Sequence, residues 1–178
     1  MIFSHVLYPY IFLTFPPCIV ITVSRLYVAV NFMNTILVGN GEVGSGMAEV
    51  LADAHPVLIH DPSQGKNVSD DALCDILLVA IPWGDTFIDA VKRYQTIWNP
   101  RFTVILSTVP VGTSRLLGAW HSPISGIHPH LAKSIRIHTR WLGGPQDQDL
   151  VSYFEKAGMT VKVVEKSEET EFLKLRST

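Results

Sequence analysis

Charge is what the amino end of this chain lacks. Across residues 1–32, Arg25 is the only Lys, Arg, Asp or Glu. The uncharged run from Val6 to Val23 has the length to cross a bilayer. Pro9, Pro16 and Pro17 interrupt it, and proline weakens an isolated helix. A secretory leader fits poorly, because no Lys or Arg precedes the apolar part and no clear small-residue cleavage site follows. The third reading is an extension upstream of a domain that opens at Met33. That reading is preferred, with a membrane anchor over residues 6–23 second. Removal of residues 1–32 is then expected to leave folding and ligand affinity intact.

Cysteine is also scarce. Cys18 and Cys74 form no C-x-x-C and no zinc pattern, so Cys74 is expected to be a buried free thiol. Two cysteines fit a reducing, cytoplasmic setting. Positive charge is not in excess: 14 Lys and Arg stand against 16 Asp and Glu, for a net charge of −2. That balance gives no footprint for a nucleic-acid partner. Repeats and low-complexity tracts are absent, which excludes solenoids and linkers. His128 and His130 have no acid or cysteine cluster behind them, so no metal is expected. The remainder is globular in composition, 47% hydrophobic over 178 residues. That is room for one ordinary domain, with or without an appendage.

What is present centres on Thr35 to Ala48. Thr35-Ile36-Leu37-Val38 reads as a buried strand. Gly39-Asn40-Gly41-Glu42-Val43-Gly44 is G-x-G-x-x-G, and Met47 to Ala52 continues as a helix. Strand, glycine turn and helix in this order form the phosphate corner of a dinucleotide fold. Gly39 allows the turn, Gly41 lets a pyrophosphate approach the backbone, and Gly44 lets helix and strand pack closely. The helix then offers free N–H groups and its positive end to phosphate. A second apolar run, Val57 to His60, ends at Asp61, about 20 residues beyond the glycines, where an acid accepts hydrogen bonds from the adenosine ribose. A carboxylate there repels a 2′-phosphate, so NAD is favoured. Lys66 keeps NADP as the lesser alternative.

Downstream the pattern alternates. A helix spans about Val43 to Ala54, a loop runs from Pro62 to Ser69, and Asp70 to Leu73 reads as a helical turn. Asp75 to Pro82 is nearly all apolar, as a central parallel strand should be. From Asp85 a helix carries Phe87, Ile88, Val91, Tyr94 and Trp98 at core spacing. Phe102 to Leu106 is the next strand, followed by the loop Ser107 to Thr113. Ser122 to His130 reads as a short strand entering a loop, and Trp141 to Gly144 as a strand end. Asp149 to Ala157 is helical, Met159 to Val164 a last strand, and Glu168 to Leu175 opens another helix. Right-handed crossovers give a doubly wound parallel α/β sheet over residues 33–166, with 167–178 starting an interdomain helix.

Several motifs occur in fixed order: the glycine turn, Asp61, Ala80-Ile81-Pro82, Ser107-Thr108-Val109-Pro110-Val111-Gly112-Thr113, and Glu171-x-x-Lys174-Leu175. This series resembles the N-terminal Rossmann domain of UDP-glucose/GDP-mannose dehydrogenases, within the wider 6-phosphogluconate and β-hydroxyacid dehydrogenase group. The Gly126-Ile127-His128-Pro129 segment resembles the His-Pro loop of prephenate dehydrogenases. The resemblance implies hydride transfer from an alcohol to NAD on a small-molecule substrate such as a nucleotide sugar. It places Ser107 and Thr108 near the nicotinamide, with Ile81 and Pro82 at the cofactor. Lys174 matches the family's Lys at the reacting oxygen, with Thr178 one turn on. Glu171, Lys174 and Arg176 also suit a solvated helix end. His128 is the alternative acid–base group, since imidazole titrates near neutrality. The family's catalytic Cys has no counterpart here, and Ile124 stands where its Glu follows Ser-Pro. The substrate domain is also missing. A homodimer or a partner chain supplying that domain is expected, and without one a module that binds NAD and does not turn over.

Overall fold

A computed structural model describes residues 33–126 and 131–176 of the chain. Seven strands form one sheet in the order β2-β1-β3-β4-β5-β6-β7. They are β1 (Thr35–Val38), β2 (Val57–His60), β3 (Ile76–Val79), β4 (Phe102–Ile105), β5 (Trp120–His121), β6 (Arg140–Gly143) and β7 (Val161–Val164). The helices are α1 (Glu42–Leu51), α2 (Phe87–Trp98), α3 (Thr113–Leu116), α4 (Leu131–Ile137), α5 (Gln148–Lys156) and α6 (Ser167–Arg176).

The strands form where four-residue apolar runs can be covered on both faces. β1, β3 and β4 are buried throughout. β1 lies in parallel between β2 and β3, with Leu37 opposite both Ile59 and Leu78. Side chains alternate between faces. Leu37, Ile76, Leu78 and Val104 join Met47, Val50, Leu150 and Phe154 on one side of the sheet. Ile36, Val38, Leu77, Val79 and Ile105 join Phe87, Val91 and Trp98 on the other. The α2 aromatics are therefore core, as their spacing predicts.

The sheet is parallel except at one junction. β5 and β6 are antiparallel, with His121 opposite Gly143. Between them lies α4, a helix absent from the sequence expectation, which packs across α1, with Leu131 Cβ seated 3.4 Å from where a Cβ of Gly46 would lie. The chain re-enters the sheet near where it left: Arg140, opening β6, donates from Nη1 to the Pro123 carbonyl at 3.1 Å.

Other boundaries differ in detail. Pro62–Gln64 is a single 3₁₀ turn closed by Gly65. Asp70 to Leu73 forms no helix; Ala72 N–H bonds Ser69 O in an isolated turn. Cys74 is half-buried, and burial pushes its thiol up to about 12. No helix among the described residues is long and apolar enough to cross a membrane. Residues 1–32, which carry the anchor and extension readings, lie outside the described residues.

Candidate functional site

The strand order changes direction at β1. The chain moves to one side to place β2, then to the other to place β3. Beyond the carboxyl ends of strands at such a switch, a crevice opens. Here a cleft of about 620 Å³ occupies that position, between the glycine turn, Asp61, the end of β3 and the end of β4.

The three glycines do different work. Gly39 has φ +93°, and a Cβ on it would lie 2.5 Å from Ala80 O. At Gly44 a Cβ would lie 1.9 Å from Gly39 O, so the helix meets the turn only through glycine. Gly41 is unlike either. Its φ of −71° and ψ of −169° suit any residue, and a Cβ there would meet nothing within 4 Å. Gly41 caps α1 without a side-chain hydrogen bond. Glu42 and Val43, in the first turn of the helix, line the cleft.

Asp61 sits across from this turn. Its Oδ2 accepts from Asn40 N at 2.8 Å and its Oδ1 from Ser63 Oγ at 2.5 Å. The Ser63 hydroxyl first, then the Asn40 amide, holds the Asp61 carboxyl below its ordinary value. Each oxygen keeps lone-pair capacity for a further donor. Asn40 does not line the cleft; its side chain donates to Gln64 Oε1 at 2.6 Å and closes the rim. Gly44 also lies behind the cleft rather than in its wall. Glu42 and Val43 are in the wall, beside Gly39 and Gly41.

At the other end stand Ile81, Pro82, Ser107, Thr108 and Lys174. The Ser107 hydroxyl is already used: it donates to Ile81 O at 2.6 Å and ties β4 to the loop after β3. Of the two hydroxyls expected near the reacting centre, Thr108 is the one left to face the cleft. Lys174 Nζ donates to Ile124 O at 3.0 Å. Glu171 is not part of a solvated helix end. It is fully buried, and its carboxylate accepts from Gly112 N at 2.6 Å and Ser114 N at 2.7 Å. His128 and Thr178 lie outside the described residues, so of the two candidate acid–base groups only Lys174 is described.

The cleft has walls that sequence reasoning missed. Ser63 and Gln64 line its Asp61 end, and Trp83 and Ile124 its far end. Ser63 had a signal, since a hydroxyl two residues after Asp commonly bonds its carboxylate. Buried His121 had none. Its Nε2 lies 3.2 Å from Ser107 O and its Nδ1 2.8 Å from Thr170 Oγ1. A carbonyl only accepts, so Nε2 carries the proton, while the single proton of the Thr170 hydroxyl is contested between Nδ1 and the Ser167 carbonyl, each at 2.8 Å. Burial pushes this imidazole below its ordinary value, against the Ser107 carbonyl and Glu171, which act the other way. Among the described residues no group of three or more His, Cys, Asp or Glu is placed to hold a metal.

No family model matches the chain, and no curated protein does. Solved structures do. A UDP-D-ManNAc dehydrogenase from Pyrococcus horikoshii matches at 15% identity and TM-score 0.67, over 82% of this chain and 50% of its own. A 3-hydroxyisobutyrate dehydrogenase from Mycobacterium tuberculosis matches at 17% identity and TM-score 0.60, over 82% and 59%. A reductive aminase from Aspergillus terreus, solved with NADPH, matches at 12% identity and TM-score 0.59, over 82% and 60%. The fold is the Rossmann-type α/β fold that these structures share with the chain. The chain spans half to three-fifths of the length of these structures.

Proposed function

We propose that the chain is the NAD-binding domain of an oxidoreductase that acts on an alcohol, of the nucleotide-sugar dehydrogenase kind. The observation that carries this reading is Gly41. The fold places no steric or backbone demand for glycine there, whereas a phosphate approaching the amino end of α1 does. The residues present fit a dinucleotide along the whole cleft. The N–H groups of α1 would hold the pyrophosphate. Asp61 would accept from the adenosine ribose, which favours NAD over NADP. Gly39, Val43, Ile81 and Pro82 would wall the cofactor, and the carboxyl end of β4 would meet the nicotinamide.

When bound, NAD supplies the hydride acceptor. Thr108 would orient the substrate hydroxyl. The Lys174 ammonium would steady the charge that develops on that oxygen as its proton passes to water in the cleft. The matched structures are longer than this chain, and we infer that turnover draws on a second domain. A domain spanning residues 33–166 is the proposed folding unit.

Two measurements test the reading on the full chain. Calorimetry is expected to show NAD binding tighter than NADP. Reduced-cofactor absorbance is then followed with nucleotide sugars and simple hydroxy acids. Reduction by a nucleotide sugar supports the reading in full. Binding without reduction supports the cofactor reading and leaves turnover to the second domain, and absence of binding contradicts the reading.

A further inference from the structure

Lys174 and Thr108 come from elements far apart in sequence, yet both face the same end of the cleft. Their relation depends on how α6 meets the loop after β4. Two sets of hydrogen bonds join them. At the near end of the loop, Thr170 on α6 bonds His121 Nδ1, and His121 Nε2 bonds the Ser107 carbonyl. At the far end, the two oxygens of Glu171 take one backbone N–H each, from Gly112 and Ser114. Thr108 lies between these anchors. Thr170 and Glu171 precede Lys174 by four and three residues, so all three share a helix face.

We infer that Glu171 is a positioning residue, and that with the His121–Thr170 pair it sets Thr108 opposite Lys174. Its chemistry is specific. Each carboxylate oxygen meets a donor, so an amide in its place would turn an NH₂ toward a backbone N–H. Glu171 is fully buried, and its two partners are backbone groups rather than a cation. A carboxylate is costly to bury, and a link that merely held two surfaces together would be met more cheaply by apolar packing. The neighbouring Arg115–Glu168 pair also spans α3 and α6, but Arg115 is largely exposed and contributes little. α6 is thus more than a connector: it sets the geometry of the reacting end of the cleft.

This inference rests on the dehydrogenase reading, and its test separates the two. The variants are Glu171→Gln and Thr170→Val in the full chain. Probes are NAD and ADP-ribose, which differ only by the nicotinamide. Both variants are expected to bind ADP-ribose as the parent does. NAD affinity relative to ADP-ribose is expected to fall about tenfold, or ~1.4 kcal/mol, with altered emission from bound NADH. A merely structural role would move both ligands together. Hydrogen exchange without nucleotide supplies a cofactor-free reading: protection should fall across residues 107–114 in both variants and stay unchanged across 37–46. If Glu171→Gln does not fold, Thr170→Val decides. An unchanged ligand ratio together with unchanged exchange overturns the inference. Failure of the parent to bind NAD sinks the dehydrogenase reading, while exchange still judges the clamp.

Discussion

Single residues divide into those the fold needs and those only a ligand needs. Gly39 and Gly44 belong to the first group, because a side chain at either would strike backbone. On the proposed function Gly41 belongs to the second. Asp61 serves both, since it anchors Asn40 N and still offers lone pairs to the cleft. Asp61→Ala is expected to weaken NAD by roughly tenfold to a hundredfold, the scale of a hydrogen bond to a charged group. It should also narrow the preference over NADP, and paired titrations with both cofactors check this. An unmutated chain that prefers NADP would overturn the assignment. Much of this scale was legible in sequence, because the glycine turn and Asp61 are local signals at fixed spacing. Glu171 and His121 were not. The partners of Glu171 lie 57 and 59 residues away and those of His121 14 and 49, and no local pattern distinguishes a buried carboxylate from one on a solvated helix face.

Elements with a long apolar run or a clear cap were legible, and short ones were not. β1 and β2 have the expected bounds, and β3 and β4 fall within theirs. α3 is one turn and β5 two residues, lengths at which periodicity carries no information. α4 has only Leu131 and Ile135 as a buried apolar pair, and its place is set by contact with α1 rather than by its own sequence. α5 shows the opposite case. Asp147 is its amino cap, accepting from Asp149 N and Leu150 N at 2.9 and 3.3 Å. Asp147→Ala should cost about 1 kcal/mol, a fall of about 3 °C in melting temperature. Thermal unfolding followed by circular dichroism measures it, and an unchanged midpoint would show that the cap is not holding α5.

The whole molecule is held together partly by buried histidines that join its layers. His55 stacks on Tyr153 of α5 with centroids 4.1 Å apart. His60 at the end of β2 meets Tyr94 and Trp98 of α2 edge-on. His121 joins β5 to α6. Burial lowers all three below the ordinary imidazole value. The unfolded chain therefore takes up protons first as pH falls. The histidine contribution is complete above about pH 6.5 and is lost as pH drops through the lowered folded values. The urea midpoint should fall between pH 7.5 and 5.5, and equal midpoints would contradict neutral burial. The overall plan, a doubly wound sheet with its cleft at β1 and β3, followed from the alternating pattern. The antiparallel return at β6 did not, because its pairing with β5 rests on a long-range contact, His121 opposite Gly143.

The central claim is that a pyrophosphate rests at Gly41. The most direct measurement is NAD titration by calorimetry against the parent chain and Gly41→Val, with melting temperatures taken alongside. The account predicts saturable binding by the parent, none by the variant, and closely similar melting of both, since no protein atom contests that space. Equal NAD affinity in the two proteins would contradict it.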